Sequence, residues 1–168
     1  MTANPLPTRT PWTILRENAW QIAMYLLGTL LIGLLSWLLG LVYLAYSLAS
    51  NGMYMAWVCP YCGHYALGTC AAGFDLISGR RFRPVPGRTF GREFRRRSWV
   101  LYPGWFLPPL VGLYLLVTSF SWPVLALLVV FCVDAFWLLP QTSKSHCEAC
   151  ETVDSPRYPK NRKSTAGA

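Results

Sequence analysis

The sequence predicts an all-α integral membrane protein, with three transmembrane helices and a small cytoplasmic subdomain made from a loop and a tail. Three observations carry that reading. The chain is 54% hydrophobic and 13% charged over 168 residues, too apolar for an ordinary water-soluble domain. Its charges are segregated: Ala19 to Ser47 holds no acidic or basic side chain, and Ser98 to Gln141 holds only Asp134. Its arginines crowd into one segment directly before an apolar run, the pattern of a cytoplasmic loop.

Residues 1–18 read as a polar N-terminal tail rich in Pro and Thr, leading to Trp12 and Trp20, side chains suited to a membrane interface. Residues 19–48 read as the first transmembrane helix. At about 1.5 Å per residue the run from Ala19 to Ser47 is about 43 Å long, so it tilts or projects beyond a hydrocarbon core of about 30 Å. A cleaved signal core is far shorter, about 7 to 15 residues. Thr29, Gly33, Ser36 and Gly40 fall on one helical face, where small side chains let a second helix approach closely.

Residues 49–98 form the loop. It opens on the turn signal Asn51-Gly52, carries Cys59, Cys62, His64 and Cys70, and reads as a short helix over Ala71 to Ser78. It then becomes strongly basic, with Arg80, Arg81, Arg83, Arg88, Arg92, Arg95, Arg96 and Arg97 against Glu93 alone. Beside a span, Arg80, Arg81, Arg83, Arg95, Arg96 and Arg97 suit anionic lipid headgroups, at about 1 kcal/mol each near the surface, or an acidic protein partner. The net charge of +8 is accounted for in this way, and no nucleic-acid partner is expected.

Residues 99–120 read as the second transmembrane helix, with a kink or an interfacial start expected near Pro108. After a tight turn, residues 121–140 read as the third, and residues 141–168 as a basic C-terminal tail. Three spans in the lipid bilayer place the N-terminus outside and both loop and tail in the cytoplasm.

That topology gathers two distant motifs on one face. Cys59-Pro60-Tyr61-Cys62-Gly63-His64 follows the first apolar run and His146-Cys147-Glu148-Ala149-Cys150 follows the last, with 84 residues between the two pairs. Two intervening residues let both sulfurs of a pair reach one ion, and thiols in the reducing cytosol favour metal over disulfide. The stretch Cys59 to Gly63 resembles the knuckle of zinc ribbons and rubredoxins, Cys-Pro-x-Cys-Gly. The resemblance implies a structural zinc held by Cys59, Cys62, Cys147 and Cys150, stapling loop to tail, with His64, Cys70 and His146 as further donors.

Two other chemistries stay open for the same cysteines. Four thiolates also suit iron, as a rubredoxin-type centre or an iron–sulfur cluster. Cys-Pro-Tyr-Cys is also similar to the active-site tetrapeptide of glutaredoxins, which implies dithiol exchange. Asp134 marks either a proton or ion path or, near the end of its helix, a carboxylate paired with a loop arginine. No Walker loop, dinucleotide fingerprint or Cys-x-x-Cys-His haem motif occurs. The expected function is an accessory, assembly or anchor subunit of a larger membrane complex, the alternative being a membrane electron-transfer or thiol–disulfide component.

Overall fold

A computed structural model describes residues 10–62, 65, 70 and 72–142, which are helical with no strand among them. Helix α1, Pro11–Gly33, starts earlier than its apolar content requires. Thr10 and Thr13 exchange a reciprocal pair of backbone-to-hydroxyl hydrogen bonds of 3.1 and 3.2 Å, and Pro11 lacks only an amide that the first turn leaves unbonded. Residues 11–18, read from sequence as part of the tail, are therefore the first turns of a helix.

The apolar run read as one transmembrane helix is two. Helix α1 stops at Gly33, Leu34 to Ser36 make a turn, and α2 runs over Trp37–Trp57 with Ser36 as its extended N-cap residue. Gly28 lies against the Tyr43 ring, while Gly40 lies against Thr29 and Gly33, so the partner position on α2 falls as the position on α1 rises. The two helices are an antiparallel hairpin. The small-residue stripe does admit a close neighbour, but that neighbour is the second half of the same run. A Cβ at Gly40 would sit 2.9 Å from the Thr29 carbonyl oxygen and 3.0 Å from the Gly33 Cα.

After a short helix α3, Phe74–Arg81, the chain enters α4, Phe90–Arg97, then a single 3-10 turn, Ser98–Leu101, and α5, Tyr102–Thr118. Helix α5 continues through Pro108 and Pro109. A proline at position 108 removes the amide that would bond the Gly104 carbonyl four residues back. The Tyr43 hydroxyl of α2 donates to that carbonyl at 2.8 Å, in a buried setting, and Tyr46 donates to the Val100 carbonyl at 2.7 Å. The defect in one helix thus becomes the join to another.

Helix α6, Trp122–Val133, returns antiparallel to α5, with Leu128 against Gly112 and Phe136 against Trp105. It passes into a wider π-helical segment, Asp134–Leu138. Helix α1 touches α2, α5, α6 and this segment, and the core forms around it from Met24, Tyr25, Leu31, Leu128, Phe131 and Ala135. Two helical runs are long and apolar enough to cross a membrane, Phe90–Thr118 and Trp122–Thr142. Large apolar side chains such as Leu30, Leu38, Val42, Leu110, Val117 and Val130 face outward, the surface expected beside lipid rather than water.

The hairpin also settles where α1 begins. Asn18 donates to the Ala72 carbonyl at 3.0 Å and Ile14 packs on Gly73, so the start of α1 stands beside the cysteine loop. An N-terminal face opposite the loop, expected for three spans, is not the arrangement found. The physical reason is the fold-back at Leu34 to Ser36, which returns the chain to the end it left.

Two substitutions test these contacts in mild detergent. Gly40→Ala places a methyl against rigid backbone and is expected to lower unfolding stability by about 1–3 kcal/mol, whereas Gly33→Ala, with open space at its Cβ position, is neutral or stabilising. Equal effects would show that the hairpin contact is not as described. Tyr43→Phe strands the Gly104 carbonyl and is expected to cost about 1–3 kcal/mol, measured by thermal unfolding followed by circular dichroism.

Candidate metal centre

The end of α2 delivers the chain into the cysteine knuckle. Val58 is buried, and Cys59–Tyr61 form a 3-10 turn in which the Tyr61 amide donates to Val58 at 3.1 Å and the Cys62 amide to Cys59 at 3.0 Å. Pro60 sits buried inside that turn, its fixed φ suited to the reversal. The knuckle is then tied sideways. The Tyr61 hydroxyl accepts from the Val85 amide at 3.3 Å, and the Tyr65 hydroxyl donates to the Phe82 carbonyl at 2.6 Å. An open cleft of about 600 Å³ lies beside Cys62, between the knuckle and the segment from Pro84 to Phe90.

A third thiol approaches from the far side of the loop. The Cys70 amide donates to the Asp75 carboxylate at 3.4 Å, and Asp75 is held, buried, in the first turn of α3. Gly73 enters that helix with a φ of 75°, a conformation few residues with a side chain adopt, while Ile14 of α1 packs against it. Burial, and then the neighbouring charges of Cys70, Cys62 and Asp75, pushes the Cys59 thiol up to about 12. Thiolates and carboxylate repel one another there, and a divalent cation is the partner that would reverse the sign of the interaction.

Cys59, Cys62 and Cys70 are of intermediate burial, as is Cys132 in α6. Among the described residues no three His, Cys, Asp or Glu side chains converge closely enough to hold an ion. The knuckle thus presents two thiols, Cys59 and Cys62, at the ends of one tight turn. His64, His146, Cys147 and Cys150 lie outside the described residues.

The arginines divide into two groups. Arg80, Arg81, Arg83, Arg95 and Arg96 are exposed. Arg97, expected at lipid, is partly enclosed: it pairs with Glu93 at 2.9 Å and lies over the Trp57 ring at 4.9 Å, with Arg88 a further 3.7 Å partner of the same acid. Glu93 is 2% exposed, and a buried carboxylate requires a paired cation one turn away on the same helix. Tyr54 packs edge-on against Phe94, completing the join between α2 and α4.

Asp134 opens the π-helical segment at 3% exposure, and neither carboxylate oxygen has a hydrogen-bond partner among the described residues. The loop arginine expected as its partner is not found among the described residues, since Asp134 faces into the bundle beside core residue Ala135. Sequence reasoning did not single out Asp75, Tyr61 or Tyr65. Only Asp75 carried a usable signal, as the one acid close behind Cys70 and at the start of a short helix.

No family model, no characterised protein and no solved structure matches this chain.

The raised Cys59 thiol sets a pH dependence for the reduced, metal-free protein. The neutral thiol is favoured by the fold, so the stability it contributes is complete below the ordinary thiol range and is lost as pH rises towards about 12. Mass-spectrometric mapping of iodoacetamide labelling at pH 8 is expected to find Cys59 the slowest of the loop cysteines, its rate still climbing above pH 9. Equal labelling of Cys59, Cys62 and Cys70 at pH 8 would remove the enclosed environment from the account.

Proposed function

We propose that this chain is a small membrane-embedded accessory, assembly or anchor subunit, whose loop and C-terminal tail are joined by a structural zinc on Cys59, Cys62, Cys147 and Cys150. The observation that supports it most is positional. The knuckle sits at the end of the bundle where Trp122–Thr142 also ends, because α6 runs antiparallel to α5 and α5 begins just after the arginine helix α4. From Thr142 to Cys147 is five residues, a reach of about 17 Å when extended. Zinc bound by four thiolates supplies, in metal-dependent folds, apparent binding energies of about 10–16 kcal/mol. That is sufficient to hold a tail against a loop that has little apolar core of its own.

In this reading the loop face is cytoplasmic, and Arg80, Arg81, Arg83, Arg95 and Arg96 meet anionic headgroups or an acidic subunit of the complex. The exposed apolar faces of α5 and α6 meet lipid or the helices of that complex. Zinc acts here as a staple and not as a reagent, because no nucleophile with an adjacent base stands beside it among the described residues.

Elemental analysis and an absorption spectrum of anaerobically purified protein decide the matter, with Cys59→Ser/Cys147→Ser alongside. The expected result is about one zinc per chain, no visible absorbance and loss of the metal in the double variant. Iron with visible charge-transfer bands would replace the staple by an electron-transfer centre. Absence of metal together with two titratable disulfides would replace it by dithiol chemistry.

A further inference from the structure

The α1–α2 hairpin is not apolar over enough of its length to do what the α5 and α6 runs do: α1 and α2 have 23 and 21 residues, more than the 17 of α5, but neither is among the runs apolar enough to cross a membrane. Folded at Leu34 to Ser36, the run from Ala19 to Ser47 has legs of 15 and 11 residues, or about 22 and 16 Å, against a hydrocarbon core of about 30 Å. Ser47 of α2 stands beside Gly104 of α5, its hydroxyl 3.9 Å from the Cβ position there, so the hairpin lies alongside α5 with its tip directed towards the α5–α6 turn.

The chemistry of the two turns differs accordingly. The α5–α6 turn, Ser119-Phe120-Ser121-Trp122, carries two hydroxyls and two exposed aromatics, a composition for the membrane–water interface. The α1–α2 tip is apolar and unpacked, with Leu34, Leu35, Trp37 and Leu38 at 57%, 46%, 73% and 56% exposure. Ser36 is its one polar side chain. Arg16, Glu17, Asn18 and Gln21 of α1, and Asn51 of α2, lie in the half of the hairpin nearer the cysteine loop. Within the turn the amides of Leu34, Leu35 and Ser36 donate to Leu30, Ile32 and Ile32 at 3.0, 3.0 and 3.2 Å.

We infer that α1–α2 is a re-entrant hairpin, which enters the leaflet on the side of the cysteine loop and turns among the acyl chains of the bilayer interior, while α5 and α6 cross. The inference rests on the membrane-embedded reading above. Its exposed leucines and Trp37 are covered by lipid tails. The polar first turns of α1 stay at the surface, where Asn18 and Ile14 hold the loop. The hairpin thereby anchors the candidate metal centre to one leaflet without carrying chain to the other side.

The test uses full-length protein in sealed vesicles of phosphatidylcholine and phosphatidylglycerol, with Val85→Cys, Ser119→Cys and Leu35→Cys made singly. A membrane-impermeant maleimide polymer is added outside or on both sides, and the gel shift beyond the wild-type background is read. Val85→Cys and Ser119→Cys are expected to label from opposite sides, and Leu35→Cys from neither until dodecyl sulfate is added. A bimane at Leu35→Cys is expected to be quenched more by lipid carrying a mid-chain doxyl group than by a headgroup quencher. Labelling of Leu35→Cys from the Ser119 side would make the hairpin a pair of full spans, and labelling from the Val85 side would make it a surface hairpin; either overturns the inference. Release of the protein by carbonate, or labelling of Val85→Cys and Ser119→Cys from one side, would overturn the membrane reading itself and with it the hairpin.

Discussion

The close approach of Gly40 to Thr29 and Gly33 is the contact from which the remaining arrangement follows. Only backbone occupies the space between the two chains there, so the long apolar run can fold on itself and bury small faces that a single span would leave to lipid. Once folded, α2 presents Tyr43 and Tyr46 to α5, and the carbonyl that Pro108 leaves without its helical amide finds a donor in a different helix. Helix α1 in turn becomes the centre of the bundle instead of a peripheral span. Had the run stayed straight, the first turns of α1 and the cysteine loop would lie at opposite ends, and the hydrogen bond from Asn18 to Ala72 could not form.

The loop is built mainly from polar bonds and aromatic edges. Tyr61, Tyr65, Asp75 and Asn18 each close a short-range or long-range hydrogen bond, while Glu93 gathers Arg88 and Arg97, the latter lying over the Trp57 ring. Such a scaffold encloses Cys59, so that burial first and then repulsion from neighbouring negative groups disfavour its thiolate. Order without a large apolar core is the circumstance in which a bound cation contributes most to a small fold, because it converts that repulsion into attraction. The same reasoning separates the two buried acids. Glu93 has arginines on its own helix, whereas Asp134 opens a π-helical segment, a widening frequent at functional sites, with its oxygens unbonded among the described residues.

Much of the architecture was legible because it depends on composition. Segregated charge and hydropathy mark the helices, though the α1 start at Thr10 and Pro11 lies within what was read as tail, and the short helix expected over Ala71 to Ser78 appears as α3 at Phe74–Arg81. The knuckle at Cys59 was legible too, since Pro60 constrains the turn that hydrogen bonds then close. The bend was not. Gly33 and Ser36 are ordinary within a membrane helix, and hydropathy averages across a three-residue turn made of Leu, Leu and Ser. Nor could charge alone tell that Arg97 faces Glu93 and Trp57 while Arg95 and Arg96 face out, because helical neighbours point in different directions.

The sequence by itself determined a helical, largely apolar chain with a basic, cysteine-bearing loop, because those properties follow from residue type and local spacing. Tertiary structure alone decided that the first apolar run is a hairpin, that its polar start holds the cysteine loop, that Tyr43 supplies the bond Pro108 removes, and that Asp134 turns inward with no arginine beside it among the described residues. Each of these depends on which distant surfaces fit at backbone distance. Steric complementarity of that kind, set by a missing Cβ or a hydroxyl within 3 Å of a stranded carbonyl, is a property of pairs of positions and leaves no mark on either one alone.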